Sequence, residues 1–585
     1  MWIWAYIFLH IAIYFVLRLG FMIWNWQSLQ FQSFSEVLNV FLSGLRFDLS
    51  SIAATSVCFL MGLYWVGRYQ SVKIVWFIAF WLLNISLFAL NFVDIELVNF
   101  TARRFTKATL FLLGEGQTAN VASAYIGFTL FTLSVIGLYS YATLFIYKRF
   151  QPQLSIIKKI GLTLATLLLA IIFFRGGFQS KPIMPVDGRI FSNPMANHMV
   201  LNTTFTLMKS LDKPTVERVH YFETSEMLGY LNRPDSYTPI APIMPNANVV
   251  VVILESFSKE YTTLRNPEFT PFLNQLSRQG AYFPRFYANS KTSIDAVPAI
   301  LAGVPALMDD PFIDSEFSLN DFTGMASVLA ERGYHTSFFH AAKKNSMHFD
   351  AFSKGAGFKH HFARAEYPNE LDFDGNWGIF DEPFLKWACE KYSTFPEPFM
   401  SSLFTLSSHQ PFSVPDAERD QHPDGSHAIL KSIHYTDASL AKFMECAADK
   451  PWFKNTIFIF TADHTGPRLG PDSTFSAQFE IPLIIYTENT ELLKDIDTSQ
   501  LAQQIDLLPT VLETVGVKPK LTNHLARSLW HPGQKIIPLY LDGTSQVLGL
   551  SDEASDAQQA NTEKAVWQYF NEGMLDNQLY IQPKQ

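Results

Sequence analysis

Residues 248–254 read Asn-Val-Val-Val-Val-Ile-Leu, an unbroken apolar run of strand length, and Glu255 follows it directly. A strand with one wet face alternates apolar and polar residues. A run without alternation is covered on both faces, as in a parallel sheet flanked by helices. TIFIFT at Thr456–Thr461 has the same character and leads through Ala462 into Asp463-His464. Tyr334–Phe339, Phe399–Leu406 and Ile481–Tyr486 complete a set of five such runs. Between them lie helix-like segments at Thr270–Arg278, Gly324–Glu331, His427–Asp449 and Ile505–Val515. This alternation predicts an α/β domain with a mostly parallel central sheet. Sites in such sheets lie beyond the carboxyl ends of the strands.

Working outward, the chain has 585 residues, too many for one ordinary domain, and its two ends are solvated differently. Residues 1–175 hold 12 Lys/Arg against 5 Asp/Glu, a net +7; the remaining 410 hold 32 against 48, a net −16. With 48% hydrophobic residues and three Cys, disorder and disulfide scaffolds are excluded. Five apolar runs fall in the basic part: Met1–Trp24, Leu49–Val66, Ile74–Phe92, Ala124–Tyr147 and Ile156–Phe174. A bilayer core takes about 20 apolar residues per helix, so a five-helix membrane domain is expected over 1–175. The first run lacks a basic leader and a small-residue cleavage signal, and reads as a retained anchor.

Loop charge sets the expected orientation. Arg68, Lys73, Lys148, Arg149, Lys158 and Lys159 lie on one side; Arg46, Arg103, Arg104 and Lys107 lie on the other. Six against four places the N-terminus in the cytoplasm and the acidic part outside. The Arg103-Arg104 pair reads as a juxtamembrane basic patch, or else as a contact for anionic headgroups or the outer domain. A linker with one or two short helices is expected over 176–245, ending in Pro234, Pro239, Pro242 and Pro245, and the outer domain over 246–585. Cys389 and Cys446 are read as separate buried thiols rather than a bridge.

Chemistry-bearing residues cluster where the strand rule directs attention. Glu255 ends one strand and Asp463-His464 end another, giving two carboxylates and an imidazole at one sheet edge. Hard oxygens with one His suit Mn²⁺, Mg²⁺ or Zn²⁺. A third element is Asn289-Ser290-Lys291-Thr292-Ser293, leading into an apolar segment, Ala296–Leu301, with Pro298 in its first turn. A hydroxyl at a helix N-terminus lies beside free N–H groups and the positive dipole end, which favour a phosphoryl group. Either Thr292 or Ser293 is the nucleophile in this reading, and an N-cap in the plainer one.

Taken in order, several segments resemble the lipoteichoic acid synthase-type phosphoglycerol transferases of the alkaline phosphatase and sulfatase superfamily. They are LES at Leu254–Ser256, KTS at Lys291–Ser293, WGIFDEPFL at Trp377–Leu385, SSHQPF at Ser407–Phe412, ADHTG at Ala462–Gly466 and IDLLPTVLETVG at Ile505–Gly516. The resemblance implies a five-helix membrane domain followed by an extracytoplasmic sulfatase-like domain, in a bacterial cytoplasmic membrane. It makes Thr292 the nucleophile and gathers Glu255, Thr292, Asp463 and His464 around one divalent ion, Mn²⁺ first, then Mg²⁺ or Zn²⁺. His340 and His409 match substrate-contacting histidines. The sequence departs from the pattern after His340, where Ala341–Asn345 lacks the family's Trp and Arg; Lys343 or Lys344 is the substitute cation.

The reaction implied is transfer of a glycerophosphoryl group from a membrane phospholipid, phosphatidylglycerol, to a glycan, glycolipid or polyglycerolphosphate acceptor through a covalent threonine intermediate. Phosphoethanolamine transfer is the nearest rival, although that group carries several disulfides that two outer Cys cannot supply. A sulfatase needs Cys or Ser in C/S-x-P-x-R, a pattern that none of Cys58, Cys389 and Cys446 occupies. A non-catalytic scaffold has no reason to keep unpaired carboxylates together. Nucleic-acid binding is disfavoured by the outer net −16.

Overall fold

The computed structural model describes residues 2–66, 69–101, 103–107, 109, 126–149, 155–179, 181–191, 193–214, 216–231, 243–262, 267–470, 474–518, 522–533, 535–551 and 554–581. Two compact units emerge: Met1–Val216 with Asp314–Asn320, and Glu217–Ile313 with Asp321–Gln585. This division differs from the expected boundaries at 175 and 245. Of the linker prolines, Pro234, Pro239 and Pro242 lie outside the described residues, as does Arg68.

Among the described residues, the first unit contains five helices long and apolar enough to cross a membrane: Trp2–Trp24, Phe34–Val66, Gln70–Thr101, Ile126–Arg149 and Ile156–Arg175. Each contains or overlaps one expected run. The second and third extend to 33 and 32 residues, because polar turns flanking their apolar stretches continue the helix. Two short helices, Pro194–Val200 and Thr203–Ser210, belong to the same unit, and a pair of buried charges explains why.

Arg18 and Asp48 form a two-pronged ion pair, with contacts of 2.6 and 2.8 Å. Arg18 also donates to the carbonyls of Met199 and Val200, and the Asn202 amide donates to Asp48 at 3.0 Å. Arg104 pairs with Asp94 at 3.0 Å and donates to the carbonyls of His198 and Leu201; the Thr203 hydroxyl closes on Asp94 at 2.6 Å. Charges in membrane helices are costly unless paired and fully hydrogen-bonded. Here the partners come from 198–203, so that segment folds onto the bundle. The basic-patch reading therefore fails for Arg104, which is buried in an ion pair. Arg103 is buried too, its guanidinium over the Phe317 ring in the same unit.

The second unit is built on a seven-stranded sheet in the order β2-β8-β7-β1-β6-β4-β5. Its strands are β1 (Asn248–Leu254), β2 (Ala281–Tyr282), β4 (His335–His340), β5 (His360–Phe362), β6 (Phe399–Phe404), β7 (Thr456–Ala462) and β8 (Leu483–Tyr486). The two-residue β3 (Phe286–Tyr287) pairs outside it with Ala502–Gln503. Strands β7, β1, β6, β4 and β5 are mutually parallel. Every residue of β1, β6 and β7 is buried, as their unbroken apolar runs require. The last run, read with the parallel set, becomes β8 and lies antiparallel to β7. An antiparallel strand toward the border of a largely parallel sheet is a common arrangement.

Helices Asp381–Tyr392 and Ile429–Ala448 pack together and carry Cys389 and Cys446, which are joined in a disulfide with a Cα–Cα distance of 6.5 Å. This corrects the expectation of two separate thiols; residues 57 apart in sequence gave no sign that two helices would align them. A cross-link closing a loop of this length contributes about 2–4 kcal/mol, mainly by restricting the unfolded chain. Cys389→Ala/Cys446→Ala should therefore lower the Tm of the full-length protein. Dithiothreitol should lower the Tm of the unsubstituted protein by a similar amount and leave the double variant unchanged.

Candidate active site

Strands β1 and β7 pair in parallel with Leu254 opposite Ala462, so the next residues, Glu255 and Asp463, leave the sheet side by side. The Asp463 N–H bonds back to the Leu254 carbonyl at 3.1 Å and fixes this exit. Asp463 Oδ1 accepts the backbone N–H groups of Ser256 and His464, both at 2.7 Å. Ser256 reaches this bond with a φ of 57°, a left-handed conformation that a serine holds only when its surroundings enforce it. The other oxygen, Oδ2, is buried and receives no hydrogen bond.

His464 Nδ1 lies 3.0 Å from the Thr465 carbonyl. A carbonyl only accepts, so Nδ1 carries a proton and Nε2 is the nitrogen turned toward the cluster. It faces oxygen: Nε2 is 3.3 Å from Asp463 Oδ2 and 3.8 Å from Glu255 Oε1. Ligand atoms of Glu255, Asp463 and His464 all lie within 4.8 Å of one another. Burial first, and then the Asp463 charge, push the Glu255 carboxyl well above its ordinary value. Three converging acceptors with a buried, unsatisfied oxygen fit a divalent cation, which removes the repulsion among them. Two carboxylates and one imidazole suit a hard or borderline ion.

Helix Ser293–Ala302 begins beside this cluster, and Pro298 lies inside it rather than in its first turn. Ser293 is buried, its hydroxyl 3.3 Å from Glu255 Oε2 and 3.4 Å from His464 Nε2. Thr292 occupies the N-cap position in an extended conformation, but its exposed hydroxyl donates to Asp295 at 2.7 Å. Of the four expected ligands, three converge and Thr292 is turned aside; Ser293, the other hydroxyl of KTS, makes the contacts. The same motif places Lys291 behind the site, where its ammonium donates to the Gln478 carbonyl at 3.1 Å and to Thr465. Burial, ahead of the Arg468 charge, pulls the Lys291 pKa down to about 8.

His340 is the last residue of β4, fully buried and stacked on Phe404 of β6. Burial, followed by the charges of His361 and His409, lowers its pKa to about 3, so it is neutral at physiological pH. Its Nδ1 has no hydrogen-bond partner. His409 is half-buried, in a turn anchored by the Ser408 hydroxyl to the Glu255 carbonyl at 2.6 Å. Lys343 is exposed, while Lys344 forms an ion pair with Glu366 at 2.7 Å and is engaged away from the cluster.

Residues 247–517, spanning this sheet and both strand-end loops, match the sulfatase family model. They are a sulfatase-family domain. Among curated proteins the chain is similar to a lipoteichoic acid synthase-like protein, YvgJ, of Bacillus subtilis, at 25% identity over 47% of this chain and 48% of that one. Lipoteichoic acid synthase 2 of the same organism is 26% identical over 47% of this chain and 45% of its own. The chain thus spans about half the length of the curated relatives it matches. Among solved structures, an alkaline phosphatase superfamily protein from Vibrio parahaemolyticus has a TM-score of 0.54 and 23% identity, covering 62% of this chain and 98% of that one. The lipoteichoic acid synthase LtaP from Listeria monocytogenes has a TM-score of 0.51 and 16% identity, covering 60% and 98%. These two likenesses show the alkaline phosphatase-type fold of the sulfatase-family domain.

The raised Glu255 pKa has a definite sign. A carboxyl with a folded pKa above its ordinary 4.5 supports folding below that value and loses this support as pH rises through the folded pKa. Metal-free protein should therefore lose stability on going from about pH 4.5 upward, and Glu255→Gln should blunt the loss. Mn²⁺ at about 100 times its Kd should restore about 2.7 kcal/mol to the unsubstituted protein. Neither Glu255→Gln nor Asp463→Asn should gain it, as read by thermal unfolding with bound metal counted in parallel.

Proposed function

We propose that this protein is a membrane-anchored, metal-dependent phosphoglycerol transferase. It takes a glycerophosphoryl group from phosphatidylglycerol and delivers it to a glycan, glycolipid or polyglycerolphosphate hydroxyl outside the cytoplasmic membrane. One observation carries the reading: three acceptor groups of a sulfatase-family domain converge beside a hydroxyl-bearing helix N-terminus, in a chain with five membrane-length helices. A substrate held in a bilayer explains the helices, and the lipoteichoic acid synthase relatives point to the same substrate class. The six-to-four loop charge bias supports an outer catalytic domain, and the Cys389–Cys446 bridge fits an oxidising compartment.

Glu255, Asp463 and His464 would hold the ion, Mn²⁺ ahead of Mg²⁺ or Zn²⁺. Bound there, it supplies positive charge to the phosphoryl oxygens and favours the ionised nucleophile. Thr292 is the nucleophile in this reading: it is exposed, adjoins the cluster and stands at the positive end of a ten-residue helix. Rotation about its Cα–Cβ bond exchanges Asp295 for the phosphorus. The ionised oxygen attacks, diacylglycerol departs, and a glycerophosphoryl threonine remains until an acceptor hydroxyl displaces it. His340 is neutral and its free Nδ1 hydrogen-bonds a phosphoryl oxygen. His409 handles the proton of the departing and then of the incoming alcohol. Lys343 contributes a point charge at the rim.

The contacts of Ser293 with Glu255 and His464 favour a second assignment, with Ser293 as the attacking group. Headgroup-labelled phosphatidylglycerol distinguishes them. Label should map to Thr292, and Thr292→Ala should cut turnover by about 10³-fold or more with an unchanged Tm. Label on Ser293 moves the nucleophile by one residue. Labelling by phosphatidylethanolamine alone replaces glycerophosphate with phosphoethanolamine as the transferred group.

A further inference from the structure

The segment between Phe373 and Asp381 ties together the two strand ends that carry His340 and His409. On one side the Ile379 N–H donates to the Ala341 carbonyl at 3.2 Å, and Ala342 bridges Gly378. Gly378 lies flush against this strand end, where a Cβ would come within 2.3 Å of the Ala341 oxygen. On the other side the buried Asp381 carboxylate accepts the N–H groups of Leu406 and Ser407 at 2.7 and 3.2 Å and the Thr436 hydroxyl at 2.6 Å. The loop between is closed by Asp374 Oδ1, which accepts from the backbone of Asn376, Trp377 and Gly378 at 2.8, 2.8 and 3.1 Å. A turn pinned at three points presents one large side chain, Trp377.

The Trp377 ring centroid is 4.4 Å from that of His409, and its Nε1–H donates to the Gln410 carbonyl at 2.7 Å. The same carbonyl oxygen lies 2.9 Å from His409 Nδ1. Because a carbonyl only accepts, His409 Nδ1 carries a proton, and Nε2 is the atom left to exchange one. We propose that Trp377 is a positioning residue for proton transfer: its ring, packed at a tilt on the imidazole, and its shared bond to Gln410 lock His409 with Nε2 as the working nitrogen. This inference rests on the transferase reading given above.

The proton count closes over a cycle. In the first half-reaction the nucleophile enters ionised and its oxygen bonds phosphorus, the bond from phosphorus to the diacylglycerol oxygen breaks with its electron pair, and protonated His409 gives that oxygen its Nε2 proton. In the second half-reaction the acceptor oxygen bonds phosphorus and its proton passes to Nε2. The phosphorus–nucleophile bond breaks with its electrons on the nucleophile oxygen. His409 ends as it began.

The test uses two donors that differ in how much their leaving group needs a proton. Full-length Trp377→Ala and Trp377→Phe are compared with the unsubstituted protein on phosphatidylglycerol and on the p-nitrophenyl diester of glycerol phosphate, whose phenolate leaves unassisted. Trp377 is 40% exposed, so its truncation leaves the fold in place, and an unchanged Tm verifies this. Both variants should lower the rate of adduct formation from phosphatidylglycerol about tenfold, with the KM held. They should change the p-nitrophenolate burst less than about twofold. Added to His409→Ala, Trp377→Ala should cost nothing further, the mark of two residues acting as one unit. Equal losses with both donors, no loss with either, or additive losses with His409→Ala each overturn the role of Trp377. Absence of a burst and of any adduct in the unsubstituted protein overturns the transferase reading instead, and the proposal with it.

Discussion

Two carboxylates that would otherwise repel one another are forced together by strand register. Parallel pairing of β1 with β7 sets Leu254 against Ala462, and whatever follows each strand emerges at the same height on the same edge. Because the strands are covered on both faces, neither can slip without dragging a wholly apolar row out of contact. The sheet thus holds Glu255 and Asp463 in an arrangement that their own electrostatics oppose. It also places the Nε2 edge of His464 beside them. The surrounding loops make sense as responses: Ser256 in a strained conformation, Ser293 turned inward, and Lys291 behind the helix start with its pKa drawn down by burial. A fold that holds acceptors so close stores a demand for positive charge.

Much of this was legible in the sequence because burial on both faces leaves a plain record. NVVVVIL and TIFIFT admit little besides central strands, and the rule that sites lie at strand carboxyl ends then singles out Glu255 and Asp463-His464. The five membrane-length helices were equally plain. What remained hidden depends on side-chain direction or on distant partners. KTS offers two hydroxyls one residue apart, and only the helix start decides which turns inward. Lys343 and Lys344 look equivalent until Glu366, 22 residues further on, takes one of them. The Cys389–Cys446 bridge needed the alignment of two helices, and the Arg18–Asp48 and Arg104–Asp94 pairs needed the packing of a bundle.

The first unit follows a matching logic with the polarity reversed. There the opposed charges pair directly, Arg18 with Asp48 and Arg104 with Asp94, and the remaining donors are taken up by carbonyls of 198–201. Short helices that seemed from composition to belong to a linker are recruited as the polar filling of an apolar bundle. Charge is thus handled in two ways in one chain: neutralised from within among the membrane-length helices, and gathered at one point at the sheet edge.

Seven residues from the middle of the sulfatase-family stretch, Asp314–Asn320, belong to the first unit; Leu319 joins the apolar cluster of the bundle, and the Ser318 and Asn320 carbonyls receive Arg189. During synthesis, all five long helices leave the ribosome before the heptapeptide that completes their packing exists. The bundle must wait, unfinished, while residues 176–313 are made. A fragment begun at Glu217 to obtain the catalytic half alone would carry that heptapeptide bereft of its seat, with Phe317 and Leu319 bared to water. Solubility of such a fragment thus turns on seven residues that belong to the other unit.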